Sequence, residues 1–268
     1  MWNTTVIPVT AQAGPLRPST TTYAPMSLPY TLTESSVDGS RWYVKDNVFY
    51  PSITTLLTAT DTEGQAALRR WRSAVGQDVA AGVTERAAKR GTKWHAFCES
   101  YLLQEPPMKW QSMLYEPSDR VYAETLTSVL NDRLDTVFAS ESRVVSTVYG
   151  IAGRMDVGAQ LRPAYGGRRV ILDFKTGKKP KTGNRLTNYA LQATFYADAL
   201  SETCADTFGT CNPIDTIVIV QLCPDQIVWQ ESSPVYWRDQ LHERVKQFAS
   251  TVNDRLESLG EAGELTVA

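Results

Sequence analysis

Val170–Ile171–Leu172 is an apolar run that ends in charge: Asp173 follows it directly, and Lys175 stands two residues further on. The run reads as a short buried strand. Side chains two apart on a strand share a face, so Asp173 and Lys175 point to one side and Phe174 to the other. An acid and an ammonium at the end of a buried strand have two readings. One is a surface ion pair, worth ~0–1 kcal/mol. The other is a pair held there for chemistry, and the rest of the chain must decide.

The elements around this strand limit what it can belong to. Residues 1 to about 40 are rich in Thr, Pro and Ser and read as an extended arm. Arg41–Ser52 reads as a hairpin turning at Lys45–Asp46–Asn47, and Ser52 as the N-cap of a helix over SITTLL. The chain then has helical character from Gln65 to Leu103, with expected breaks at Gly76 and at Gly82–Thr84. A further helix is expected over Tyr115–Phe138. Strands are expected at Arg143–Tyr149, Arg154–Leu161 and Arg169–Phe174, a helix at Asn188–Leu200, strands at Thr216–Leu222 and Gln226–Glu231, and a closing helix at Tyr236–Leu259. This order implies an α/β fold, a mixed central sheet flanked by helices with an N-terminal helical extension. Residues 41–268 read as a single domain, mainly helical over 50–140 and sheet core over 141–259.

Lys plus Arg number 27 against 29 for Asp plus Glu, a net charge of −2. That balance gives no global attraction to nucleic acid or anionic membrane, so such a partner needs a local basic patch, and Lys175–Arg185 supplies one. With no charged-then-apolar leader pattern and no long apolar span, the expectation is a soluble cytoplasmic protein without a membrane. Cys98, Cys204, Cys211 and Cys223 lack the short spacing of zinc or redox sites and read as buried free thiols.

Three further stretches carry polar residues where structure alone does not ask for them. Asp156 lies within the strand GRMDVGA, where a carboxylate is disfavoured. Pairing of its strand with VILDF could bring Asp156 and Asp173 together, and two close acids repel unless a cation neutralises them. Oxygen ligands of this kind suit Mg²⁺ or Mn²⁺. His95 and Glu99 in GTKWHAFCE are four apart on one helical face; on that helix alone, a satisfied histidine beside a solvated glutamate is the favoured reading. Gln192 and Tyr196 also share a helical face, placed after the basic loop.

His95-x3-Glu99, then Gly153–Arg154–Met155–Asp156, then Asp173–Phe174–Lys175, then Gln192-x3-Tyr196, in this order, resemble the PD-(D/E)XK nuclease superfamily and more narrowly its RecB-type exonuclease branch. Met155 stands where the superfamily name has proline. YPSITTLLTAT and GIAGRMD are further similar to the mitochondrial genome-maintenance and phage exonucleases of that branch. The resemblance covers roughly residues 50–200. The cysteines depart from the branch's iron–sulfur members, so no cluster is expected.

The resemblance implies a restriction-endonuclease-like core and a metal-dependent DNA exonuclease acting at DNA ends, single-stranded or duplex, in replication, recombination or repair. A phage-type protein would work in the host cytoplasm. Asp156, Asp173 and Lys175 are the implied catalytic set, and His95, Asp156, Asp173 and the Phe174 carbonyl the implied ligands of Mg²⁺ or Mn²⁺. Glu99 and Glu141 stand behind them, Glu141 the weaker candidate. Arg154, Lys178, Lys179, Lys181, Gln192 and Tyr196 are the implied DNA contacts. Trp71, Trp94 and Trp110 are available for stacking on bases. The alternatives are a structure-specific endonuclease on the same fold and a non-catalytic DNA-binding module. Retention of Asp156, Asp173 and Lys175 together counts against the module.

Overall fold

The computed structural model describes residues 1–10, 16–37, 39–208 and 213–258, with the side chains of 206–208 and 253–258 outside the description. In chain order the strands and helices are β1 (Asn3–Pro8), β2 (Thr22–Tyr23), β3 (Thr33–Val37), β4 (Ser40–Lys45), β5 (Val48–Pro51), α1 (Ile53–Thr60), α2 (Thr62–Val75), α3 (Gln77–Leu102), α4 (Pro107–Gln111) and α5 (Pro117–Arg133). They continue with β6 (Leu134–Ser146), β7 (Ile151–Leu161), β8 (Arg169–Thr176), α6 (Thr187–Phe208), β9 (Thr216–Cys223), β10 (Gln226–Ser232) and α7 (Arg238–Ser258).

The main sheet has seven strands in the order β1-β10-β9-β8-β7-β6-β2. It is mixed: β8 and β9 run parallel, as do β2 and β6, and the other neighbours are antiparallel. A parallel pair needs a long crossover, and α6 supplies it between β8 and β9. The N-terminal residues run to both edges of this sheet, β1 beside β10 and β2 beside β6. A smaller sheet, β3-β4-β5, holds the expected hairpin. Its turn is made by Asp46 and Asn47, both at positive φ (51° and 65°), the two left-handed positions a tight hairpin turn requires.

Strand alternation sends side chains into two cores. Val170, Leu172 and Phe174 pack on one face against α3 and α5, and Ile171 packs on the other against α1, α6 and α7. Asp173 and Lys175 fall on the Ile171 side, under α6.

Two expectations are corrected. The expected Tyr115–Phe138 helix stops at Arg133; Leu134 is already extended (φ −93°, ψ 133°) and opens β6. Leu134 continues the four-residue apolar spacing of Leu126 and Leu130, but Val137 and Phe138 beyond it are buried as strand residues. The expected break at Gly82–Thr84 is absent, because α3 runs through both. A helix-interior glycine costs only about 1 kcal/mol, the flanking alanines favour helix, and the Thr84 hydroxyl donates to the Ala80 carbonyl at 2.9 Å. Gly76, at φ 86°, does separate α2 from α3. Cys98, Cys204 and Cys223 are buried thiols; Cys211 lies outside the described residues. No helix among the described residues is long and apolar enough to cross a membrane.

Candidate active site

The charged end of β8 meets β7, α3 and α6 at a cleft of about 420 Å³. Each element brings residues for a local reason. Ser52 caps α1, accepting from the Thr55 N–H at 3.0 Å, and this fixes the start of α1 as one wall. Gly153 on β7 leaves room for the opposite wall: a Cβ there would lie 2.7 Å from the Tyr196 ring and 3.1 Å from Ile53. The glycine of GRMD is therefore what lets α6 and α1 close over β7.

Asp173 has no solvent exposure. Neither of its oxygens receives a hydrogen bond of regular geometry; its charge partner is the Lys175 ammonium, 2.6 Å from Oδ2. Lys175 also donates to Gln192 Oε1 at 3.0 Å, and Gln192 Nε2 donates to the Tyr196 hydroxyl at 3.0 Å. Gln192 and Tyr196 thus form a relay that aims the lysine. Burial opposes the charge on Lys175, but Asp173 and Asp156 outweigh it and hold its pKa above the usual lysine value. Burial pushes the Asp173 carboxyl up, against the pull of Lys175 and with the help of Asp156.

Asp156 accepts the Phe174 N–H at 2.8 Å and lies 3.5 Å from His95 Nδ1. Burial works against its charge, yet His95, Lys175 and the Phe174 N–H together keep its pKa below the ordinary carboxylate value. Burial likewise opposes a charged His95, and the contact with Asp156 overrides it, so its pKa is raised.

Glu141 is more central than the sequence indicated. Its carboxylate, His95 and Asp156 offer ligand atoms all within 4.8 Å of one another. Ser140 pairs with Val157 and Ser142 with Met155, so Glu141 sits directly opposite Asp156 on the neighbouring strand. Like charges so placed are destabilising. The backbone is irregular at this level too: Glu141 has φ +46°, and Met155 and Val157, two apart on β7, pack into opposite cores. A left-handed non-glycine residue costs about 1–3 kcal/mol and clusters at functional sites. Burial and the neighbouring Asp156 raise the Glu141 carboxyl to about 7, with Arg154 opposing.

The remaining sequence candidates divide. Glu99 lines the cleft, half-buried. Arg154 lines it as well, bound to Glu141 at 2.9 Å. Lys178 and Lys179 are exposed on the loop after β8 and are not among the cleft-lining residues. Lys181 is held in place by its main chain, whose N–H and C=O both bond the buried Gln221 side chain, at 2.7 and 2.8 Å. Of the Phe174 main chain, the N–H is the group seen at Asp156. Trp94 and Trp110 are core residues, 6% and 3% exposed, which removes them as stacking surfaces; Trp71 is half-buried on α2.

Glu99, Glu141 and Asp156 line the cleft with the cationic Lys175 and Arg154, and Asp173 lies wholly buried beside Lys175, not among the lining residues. The converging ligand atoms of His95, Glu141 and Asp156, with Glu99 on the same cleft, are a donor set suited to a hard divalent cation. Comparison with known proteins agrees in kind. The sequence profile of the PD-(D/E)XK nuclease superfamily matches residues 62–262. Mitochondrial genome maintenance exonuclease 1 of Homo sapiens is 29% identical over 157 residues, covering 56% of this chain. The chain spans 44% of that protein's length.

Proposed function

The chain belongs to the PD-(D/E)XK nuclease superfamily, and from that premise we propose that it is a metal-dependent deoxyribonuclease that hydrolyses phosphodiester bonds from DNA ends, in replication, recombination or repair. One observation carries the reading: a fully buried aspartate, Asp173, ion-paired with Lys175, whose ammonium is aimed into a carboxylate-rich cleft. The distant exonuclease relative supports action at ends.

The residues fit a divalent ion. His95, Glu141 and Asp156, whose ligand atoms converge, would hold it; Asp173 and the Phe174 carbonyl are the further proposed oxygen ligands. Such an ion, Mg²⁺ or Mn²⁺, lowers the pKa of bound water and offsets charge on the phosphate. Lys175, held protonated, orients the attacking water and stabilises charge developing on the phosphoryl oxygens. Gln192 and Tyr196 keep that ammonium aimed. Arg154 and the loop lysines Lys178, Lys179 and Lys181 contact phosphates, positioning a strand without reading its sequence. Glu99 assists from the wall of the cleft.

The test is digestion of end-labelled linear single-stranded DNA with Mg²⁺ or Mn²⁺, beside the same DNA circularised and the Lys175→Ala protein. Metal-dependent loss of the linear form alone, abolished by the substitution, is the expected result. Cutting of the circle would replace the end-directed reading with an endonuclease. Failure on linear strands, duplex ends and RNA alike would sink the catalytic claim.

A further inference from the structure

A second cavity, of about 1230 Å³, adjoins the cleft. It opens between the start of α2, the 181–189 segment that leads into α6, the first turns of α7, and Trp2. The two spaces are consecutive along α6: Gln192 lines the cleft, and Asn188 and Tyr189, one turn earlier, line the second cavity. One turn is about 5.4 Å. Tyr189, in the lining of the second cavity, lies close to the cleft's Lys175, whose ammonium is 5.1 Å from its ring centroid, and that of Lys181 is 4.3 Å away.

The lining interleaves cations with aromatic rings. Arg70, Lys181 and Arg185 are exposed there, and among the described residues none of them is in a salt bridge. Trp2 and Trp237, half-buried and 5.6 Å apart, lie on the same surface. Of the two acids that also line it, Asp61 is occupied by the Gly64 N–H and the Asn188 amide, which leaves Glu63. The Lys181 main chain is held by the buried Gln221 side chain, which fixes that part of the basic rim.

We propose that this cavity binds an unpaired nucleic-acid strand continuing past the scissile phosphate, with Arg70 and Arg185 on its phosphates and the aromatic rings against its bases. The inference rests on the nuclease reading and deepens it by naming the substrate form. Cations alone would suit any phosphate backbone. Aromatic faces set among them suit exposed bases, which a duplex keeps stacked inside.

The experiment is fluorescence anisotropy of a labelled single-stranded oligonucleotide without divalent metal, across a salt series. A fully paired duplex of the same length is measured beside it. The proteins are wild type, the Arg70→Ala/Arg185→Ala double variant and its Arg70→Lys/Arg185→Lys counterpart, with thermal melts to check folding. The expected result is about tenfold weaker single-strand binding by the alanine pair, a log–log salt slope shallower by about 1.4 for two lost phosphate contacts, and recovery by the lysine pair. Unchanged affinity and slope would overturn the proposal, and an equal loss on duplex would overturn the unpaired-strand claim. Wild-type cleavage with Mg²⁺ or Mn²⁺ is scored separately: if wild type cuts DNA while the variants bind normally, the cavity reading alone fails.

Discussion

Two carboxylates are buried in the same sheet and are treated in opposite ways. Glu231, on β10, is 7% exposed and fully engaged: the Trp229 indole N–H donates to it at 2.8 Å, Arg168 at 2.6 Å, and the Arg133 guanidinium lies 3.9 Å off. Asp173, on β8, is wholly buried, and its one partner is a lysine with a second acid, Asp156, close by. A buried carboxylate is normally hydrogen-bonded because leaving it bare is costly. Glu231 follows that rule and serves the fold. Asp173 rests on its ion pair with Lys175 alone among the described residues, and that contrast is the ground for proposing it as a metal ligand.

The sharpest break between the two regions is Lys175→Ala. Its expected effect is a loss of about 10²–10³ in cleavage rate, with some loss of stability because the buried Asp173 is left without its charge partner. Arg168→Ala is expected to lower stability while leaving the rate unchanged. Equal effects on rate would dissolve the distinction.

Stability without metal tests the same contrast. Glu231→Gln weakens charge-assisted hydrogen bonds and should cost about 2 kcal/mol, or several degrees in Tm at about 2–4 °C per kcal/mol. Asp173→Asn gives up the ion pair with Lys175 but also removes a buried charge and its repulsion with Asp156, so Tm should fall less than in Glu231→Gln. Thermal melts of the two proteins side by side decide this. A matched fall in both would mean that Asp173 is an ordinary structural acid.

Smaller effects are expected in the framework. Gly153→Ala pushes a methyl into the Tyr196 ring and should cost about 1–3 kcal/mol by overpacking, read from urea unfolding. Gln192→Ala releases Lys175 from its 3.0 Å acceptor while Asp173 still holds the ammonium. A rate loss of about tenfold, the size of one charge-assisted hydrogen bond, is expected with KM little changed.

The sequence made the site's skeleton legible because its signals are local. The Asp-x-Lys strand end, the four-residue spacings of His95–Glu99 and Gln192–Tyr196, and the Ser52 cap each follow from period and residue type. Features that depend on distant pairing were not legible. Nothing near Asn3–Pro8 announces that it forms an edge of the main sheet beside β10. Leu134 reads as helix or strand by spacing alone. The weight of Glu141 comes from facing Asp156 across two strands with φ +46°, and neither is written in ESRVV. By sequence Arg154 is a candidate phosphate contact, and its bond to Glu141 adds a competing partner that only the assembled strands reveal.

Calorimetric titration of Mn²⁺ into the metal-free wild type, Asp173→Asn and Glu231→Gln proteins tests the central claim most directly. The account predicts binding to wild type, similar binding to Glu231→Gln, and its loss in Asp173→Asn despite an intact fold. Mn²⁺ binding that survives Asp173→Asn undiminished would contradict it.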